Sequence, residues 1–297
     1  MTTTITSGLP QELIDHIIDH VNDRESLKAC SLVCSQWSPR TRKRLFAQVE
    51  FASQSDLERW CARINPGPSG LPSLVEDLTL SEYHERLSPG SPLLFWLRPS
   101  ILTNAAPHFQ SFSALRVLEI QRWVMSVGWI SSMVHSFGSS LENVTRLTLR
   151  DVISYPRTLA MFVSHFPRLD DLSVSVIYLP MILDGAGSLH PGFRGDIVPS
   201  HPQGKFSASN ISVRTPKGVF EAITLLEPRF RQVTLAHVSY GVWRDYWPLV
   251  EACAGLLEEL RILADATGEQ THLNLWSYAA HVGSRCRLQW TLACMLS

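Results

Sequence analysis

The sequence predicts an α/β chain: a short helical head, then strand–helix repeats whose strands join in one parallel sheet. Three observations predict it. Residues 9–46 carry apolar side chains at helical spacing. From residue 75 onward the pattern aliphatic-x-x-aliphatic-x-aliphatic recurs. Between its copies lie segments of helical periodicity, and strands alternating with helices favour parallel pairing.

Composition agrees and narrows the function. The 297 residues include 26 basic and 27 acidic side chains, a formal net charge of −1, and 45% are apolar. Disordered chains combine low hydrophobicity with high net charge, and this chain has neither. No basic excess points to a nucleic-acid partner, so none is expected. The most apolar stretch, Pro92 to Phe109, is broken by Arg98, Asn104 and further prolines, so no membrane span is expected. No basic start or apolar leader is visible, and the expected location is cytoplasmic, nuclear or both. The six cysteines are scattered without a CxxC pair and read as small buried hydrophobes, the last excepted.

In the head, Pro10 suits a first helical turn, and Glu12 and Asp15 favour the positive end of the helix dipole. Leu13, Ile14, Ile17, Ile18 and Val21 share an arc of about 140°. Asn22-Asp23 ends that helix. A second is expected from Glu25, with Leu27, Cys30, Val33, Cys34 and Trp37 on one stripe, Leu32 opposite, and Pro39 as its stop. A unit this small cannot bury the Ile14/Ile18 flank and Leu32 unaided, which implies a partner. His16/His20 and Cys30/Cys34 each stand four residues apart, as metal ligands on a helix can. The cysteines lie in the apolar stripe and the histidines on a polar flank, so no metal site is expected.

The order Leu9-Pro10-Gln11-Glu12-Leu13-Ile14, Ile17-Ile18, Val21, Leu27, Leu32-Val33-Cys34-Ser35-Gln36-Trp37 and Leu45-Phe46 resembles the F-box. The resemblance covers about 40 of the 297 residues. It implies binding to a Skp1-type adaptor and, through it, to a cullin–RING ubiquitin ligase. The adaptor contacts it implies are Leu9, Pro10, Ile14, Ile18, Leu32 and Val33.

A helix with Leu57, Trp60, Cys61 and Ile64 leads into a Pro/Gly cluster at 65–70, a candidate boundary. The expected division is 1–50 for the head, 51–74 for a linker helix and boundary, and 75–297 for the repeats. Copies of the strand pattern centre on Leu78, Leu118, Leu147, Leu172, Val233 and Leu260, with weak ones at Ile211-x-Val213 and Leu288-x-Trp290-x-Leu292. They stand 22 to 40 residues apart. Helices are expected over 129–137, 158–166, 219–226 and 246–256. The alternation resembles an irregular leucine-rich-repeat solenoid, without the family's asparagine ladder or even period. A compact, non-repeating α/β fold is the alternative. Residues 178–206, rich in proline and glycine, read either as a long loop on one rim or as a locally disordered stretch.

If the strands form such a sheet, the residues flanking the inward aliphatics make a face for a target protein. Its charged members include Glu119, Arg146, Arg150, Asp171, Arg214, Glu259 and Arg261. Four acids, with Asp77, and four arginines give no sign bias, which suits a protein surface rather than a phosphate backbone. No nucleophile elbow, phosphate loop, zinc-protease or dinucleotide signature is present, so neither catalytic residues nor cofactors are expected. The ending Cys294-Met295-Leu296-Ser297 is similar to a farnesylation box, making Cys294 a candidate for prenylation and membrane contact conditional on it. Together these features predict the substrate-recognition subunit of a Skp1–cullin–F-box ligase. The alternative is an adaptor-bound scaffold that assembles no ligase.

Overall fold

The computed structural model describes residues 9–67, 70–81, 96–154, 156–178, 202–209, 220, 223–238, 243–265 and 287–293. Its head holds three helices: α1 (Gln11–Asp19), α2 (Arg24–Ser31) and α3 (Ser38–Phe46). The Asp23 carboxylate caps α2 by accepting from the Ser26 N–H at 2.7 Å, and these bonds hold the carboxyl below its ordinary pKa. Chain order then brings β1 (Gln48–Phe51), α4 (Gln54–Arg63), β2 (Asp77–Ser81), α5 (Pro99–Gln110), β3 (Val117–Gln121) and α6 (Val127–Phe137). There follow β4 (Arg146–Ile153), α7 (Pro156–Ser164), β5 (Asp171–Tyr178), β6 (Gln203–Ser209) and β7 (Arg229–Val238). Last come α8 (Trp243–Cys253), β8 (Glu259–Asp265) and β9 (Arg287–Ala293).

The fold is α/β. The strands form one sheet in the order β1 to β9, each parallel to the one before it. Two apolar rows cross it in register. Val49, Leu78, Leu118, Leu147, Leu172, Phe206, Val233 and Leu260 make one; Phe51, Leu80, Ile120, Leu149, Val174, Ala208, Leu235 and Ile262 make the other. All but the half-buried Val49 are buried, in one core with Phe109, Met133, Phe137, Phe162 and Leu249 of the helices. Each buried large side chain contributes roughly 1.5–3 kcal/mol. The Phe109 and Phe137 rings stack at 4.4 Å and lock α5 to α6.

The register has a backbone cause as well. One carbonyl at the start of each early strand accepts from two N–H groups of the next. The Ala47 oxygen takes Glu76 and Asp77, Glu76 takes Arg116 and Val117, Arg116 takes Thr145 and Arg146, and Thr145 takes Asp170 and Asp171, all at 2.8–3.0 Å. Asp170 then takes Lys205 at 2.6 Å.

Several expectations are corrected. The sheet already starts at Gln48, inside the span given to the head, and Phe51 and Leu57 of the span 51–74 lie in the large core. The strand next to β5 is Gln203–Ser209; it occupies the end of the expected 178–206 loop, and Ile211 to Val213 lie outside the described residues. Phe206 and Ala208 stand where the branched aliphatics Leu172 and Val174 stand in β5, with glycine and serine around them, which hid it. The expected helix through Trp37 stops at Ser31, and Pro39 sits in the first turn of α3, where its missing N–H costs nothing. Helix α5 escaped notice because Pro99 and Pro107 read as breakers. Pro99 begins it and Pro107 falls in its last turn.

Candidate functional site

Two surfaces stand out. The first is on the head. Ile14 and Ile18 of α1 are buried with Leu27, and Val21, Trp37 and Leu45 pack against them. This corrects the assignment of Ile14 and Ile18 to an exposed contact flank. At 100° per residue the pairs 13/17 and 14/18 are adjacent ridges, and only one can face so small a core. The ridge left outward is Leu13 and Ile17, which the sequence reading did not place on the contact surface. Their signal was present: a ridge beside the leading Leu-Pro, with nothing in a three-helix head to cover it.

Leu9 and Pro10 precede α1 and are exposed. Leu32 and Val33 follow α2 in the turn toward α3, where Leu32 N–H donates to the Ala29 carbonyl and Val33 N–H to Cys30. Leu32 is 85% exposed and Val33 61%. Around them the scaffold is tied down. Arg40 Nε donates to Asp19 at 2.7 Å with a second, shorter contact through Nη2, and Arg44 donates to the Val21 carbonyl. The Arg40 guanidinium holds the Asp19 carboxyl below its ordinary pKa. Cys34 is exposed and Cys30 half-buried, against the expected burial of both. Among the described residues no cluster of three metal-ligating side chains occurs.

The second surface is the sheet face turned away from the helices. Strand alternation puts Asp77, Glu119, Arg146, Arg150, Asp171, Glu259 and Arg261 there, partly or fully exposed. The structure brings them together in pairs: Arg146 with Asp171 at 3.2 Å, Arg150 with Glu119 at 2.9 Å, and Arg261 with Glu259 at 2.9 Å. Each contact is made by the arginine Nε. The arginine side chains are 57%, 57% and 51% exposed, while their acids are only 28%, 21% and 14% exposed. Asp77 accepts from Gln48 at 3.2 Å, and burial pushes its carboxyl above the ordinary range. The middle register row of this face runs Thr148, Ser173, Ser207, Thr234, Arg261.

Arg214 and Cys294 lie outside the described residues. No helix among the described residues is long and apolar enough to cross a membrane. Scanned against models of known families the chain matches none, and no curated protein matches it closely enough to count as a relative.

Proposed function

We propose that this chain is the substrate-recognition subunit of a Skp1–cullin–F-box type ubiquitin ligase. In this reading the head is an F-box and the strands belong to leucine-rich-like repeats that hold a target protein. The observation that carries the proposal is the exposed apolar set Leu9, Leu13, Ile17, Leu32 and Val33 on a head whose own core is already filled by Ile14, Ile18 and Leu27. Covering such side chains gains roughly 1.5–3 kcal/mol each, which is ample for a stable adaptor contact. The chain would work by proximity: it holds the target beside a separate transfer enzyme, and none of its own groups acts as acid, base or nucleophile.

Co-expression with a Skp1-type adaptor and a cullin tests this. The wild-type chain should co-purify with both. Leu13→Ala with Ile17→Ala, and separately Leu9→Ala with Pro10→Ala, should abolish adaptor capture while leaving the thermal unfolding of the sheet intact. Ile14→Ala with Ile18→Ala should instead unfold the head. No adaptor on the wild-type chain would sink the F-box reading. Adaptor without cullin would favour a scaffold over a ligase subunit.

A further inference from the structure

We infer that the sheet face turned away from the helices receives an extended, acidic segment of the target, laid across the strands with carboxylates at both ends. The inference rests on the receptor reading only in naming the occupant a target; its chemistry stands on the face itself. Formal charge on this face is nearly balanced, but its relief is not. In all three ion pairs the acid is recessed and the arginine stands out, so the layer a partner meets first is cationic.

The recessed acids do more than neutralise. Each grips its arginine at Nε, which leaves the Nη edge of an oriented guanidinium to donate to an incoming carboxylate. An arginine already oriented loses less rotamer freedom on binding than a free one.

Placement sets the length of the occupant. Arg146 and Arg150 are on β4 and Arg261 is on β8, with Thr148, Ser173, Ser207 and Thr234 between them in one row. Four strand spacings amount to about 19 Å, or about six residues of extended peptide. Short hydroxyl side chains let a backbone approach closely and can both donate to it and accept from it. Nucleic acid is the poorer occupant. A phosphate backbone carries a charge every ~1.7 Å of duplex and would meet the three acids as well as the arginines.

The probe is a labelled peptide carrying two Asp-Asp pairs about six residues apart, followed by fluorescence anisotropy with the full chain. Saturable binding that weakens with salt is expected, falling roughly tenfold for each arginine changed in Arg146→Gln, Arg150→Gln and Arg261→Gln. Ser207→Tyr keeps the arginines and should also abolish binding by raising the floor. Two arms need no variant. The peptide with Asn for Asp should not bind, and a single-stranded RNA oligomer should bind more weakly than the peptide. No saturable binding, equal binding of the Asn peptide, or tighter binding of RNA would each overturn the inference. Adaptor capture from the same preparation separates the two readings. Peptide binding without adaptor refutes the ligase assignment alone, and adaptor without peptide binding refutes this inference alone.

Discussion

A methyl group at position 204 would sit 2.2 Å from the Asp170 carbonyl oxygen, well inside van der Waals contact. The backbone there has φ +83, and the same oxygen accepts the Lys205 N–H at the irregularity where β6 meets β7. Gly204→Ala is therefore expected to lose about 2 kcal/mol or more, read as a lower urea midpoint. Gly128, in α6 with nothing near its missing Cβ, is the control, and alanine there should be neutral to stabilising. His108 offers a second handle. It is buried in α5, its Nδ1 has no hydrogen-bond partner, and burial lowers its pKa from 6.5. The folded state thus disfavours the charged ring. The associated stability is intact above pH 6.5 and declines as pH falls below it. Melting temperatures from pH 7.5 to 5.5 should fall more for wild type than for His108→Leu; equal slopes would refute the assignment. Residue-level contacts were only half legible in sequence. Periodicity found the α1 arc but could not choose between Leu13/Ile17 and Ile14/Ile18, because that choice is made by where Leu27 stands.

Helix α3 couples head and sheet, and the relative size of its contacts decides what holds them. Lys43 and Glu76 pair at 3.3 Å but are 50% and 42% exposed, so screening leaves the pair about 0–1 kcal/mol. Trp60 matters more. Its ring lies 6.1 Å from Phe46 at the end of α3, 5.7 Å from Phe51 of β1 and 6.3 Å from Phe112. Glu76→Gln should change stability little, whereas Trp60→Ala should cost about 3 kcal/mol and raise amide exchange through α3. If Glu76→Gln proves the more damaging change, charge rather than aromatic packing is the joint. Strands with two inward aliphatics were legible from sequence alone. Missed were β1, whose four residues hold one fully buried side chain, Phe51, and β6, where Ala208 fills an aliphatic site and glycine permits the irregularity. Both are strands because neighbours template them, an influence a local pattern does not carry.

Across the molecule, contact is local in the chain. Among the described residues every strand pairs only with the ones just before and after it, so stability accumulates neighbour by neighbour. The net charge of −1 also takes on spatial meaning. It conceals a set of exposed uncharged side chains, Leu9, Leu13, Ile17, Leu32 and Val33, on the head and, along the sheet, arginines raised above the acids that steady them.

The relay of carbonyls from Ala47 to Asp170 has a consequence for change over time. Alignment of successive strands is written in main-chain atoms that any residue but proline supplies, so the stretches between strands are free of a counting rule. Doubling such a connection costs only about 0.6 kcal/mol in closure entropy. Insertions and deletions can therefore accumulate at the rims without sliding one strand past the next. Spacing as uneven as 25 to 40 residues between register partners of successive strands is then what drift would leave behind in a scaffold that keeps its alignment by other means.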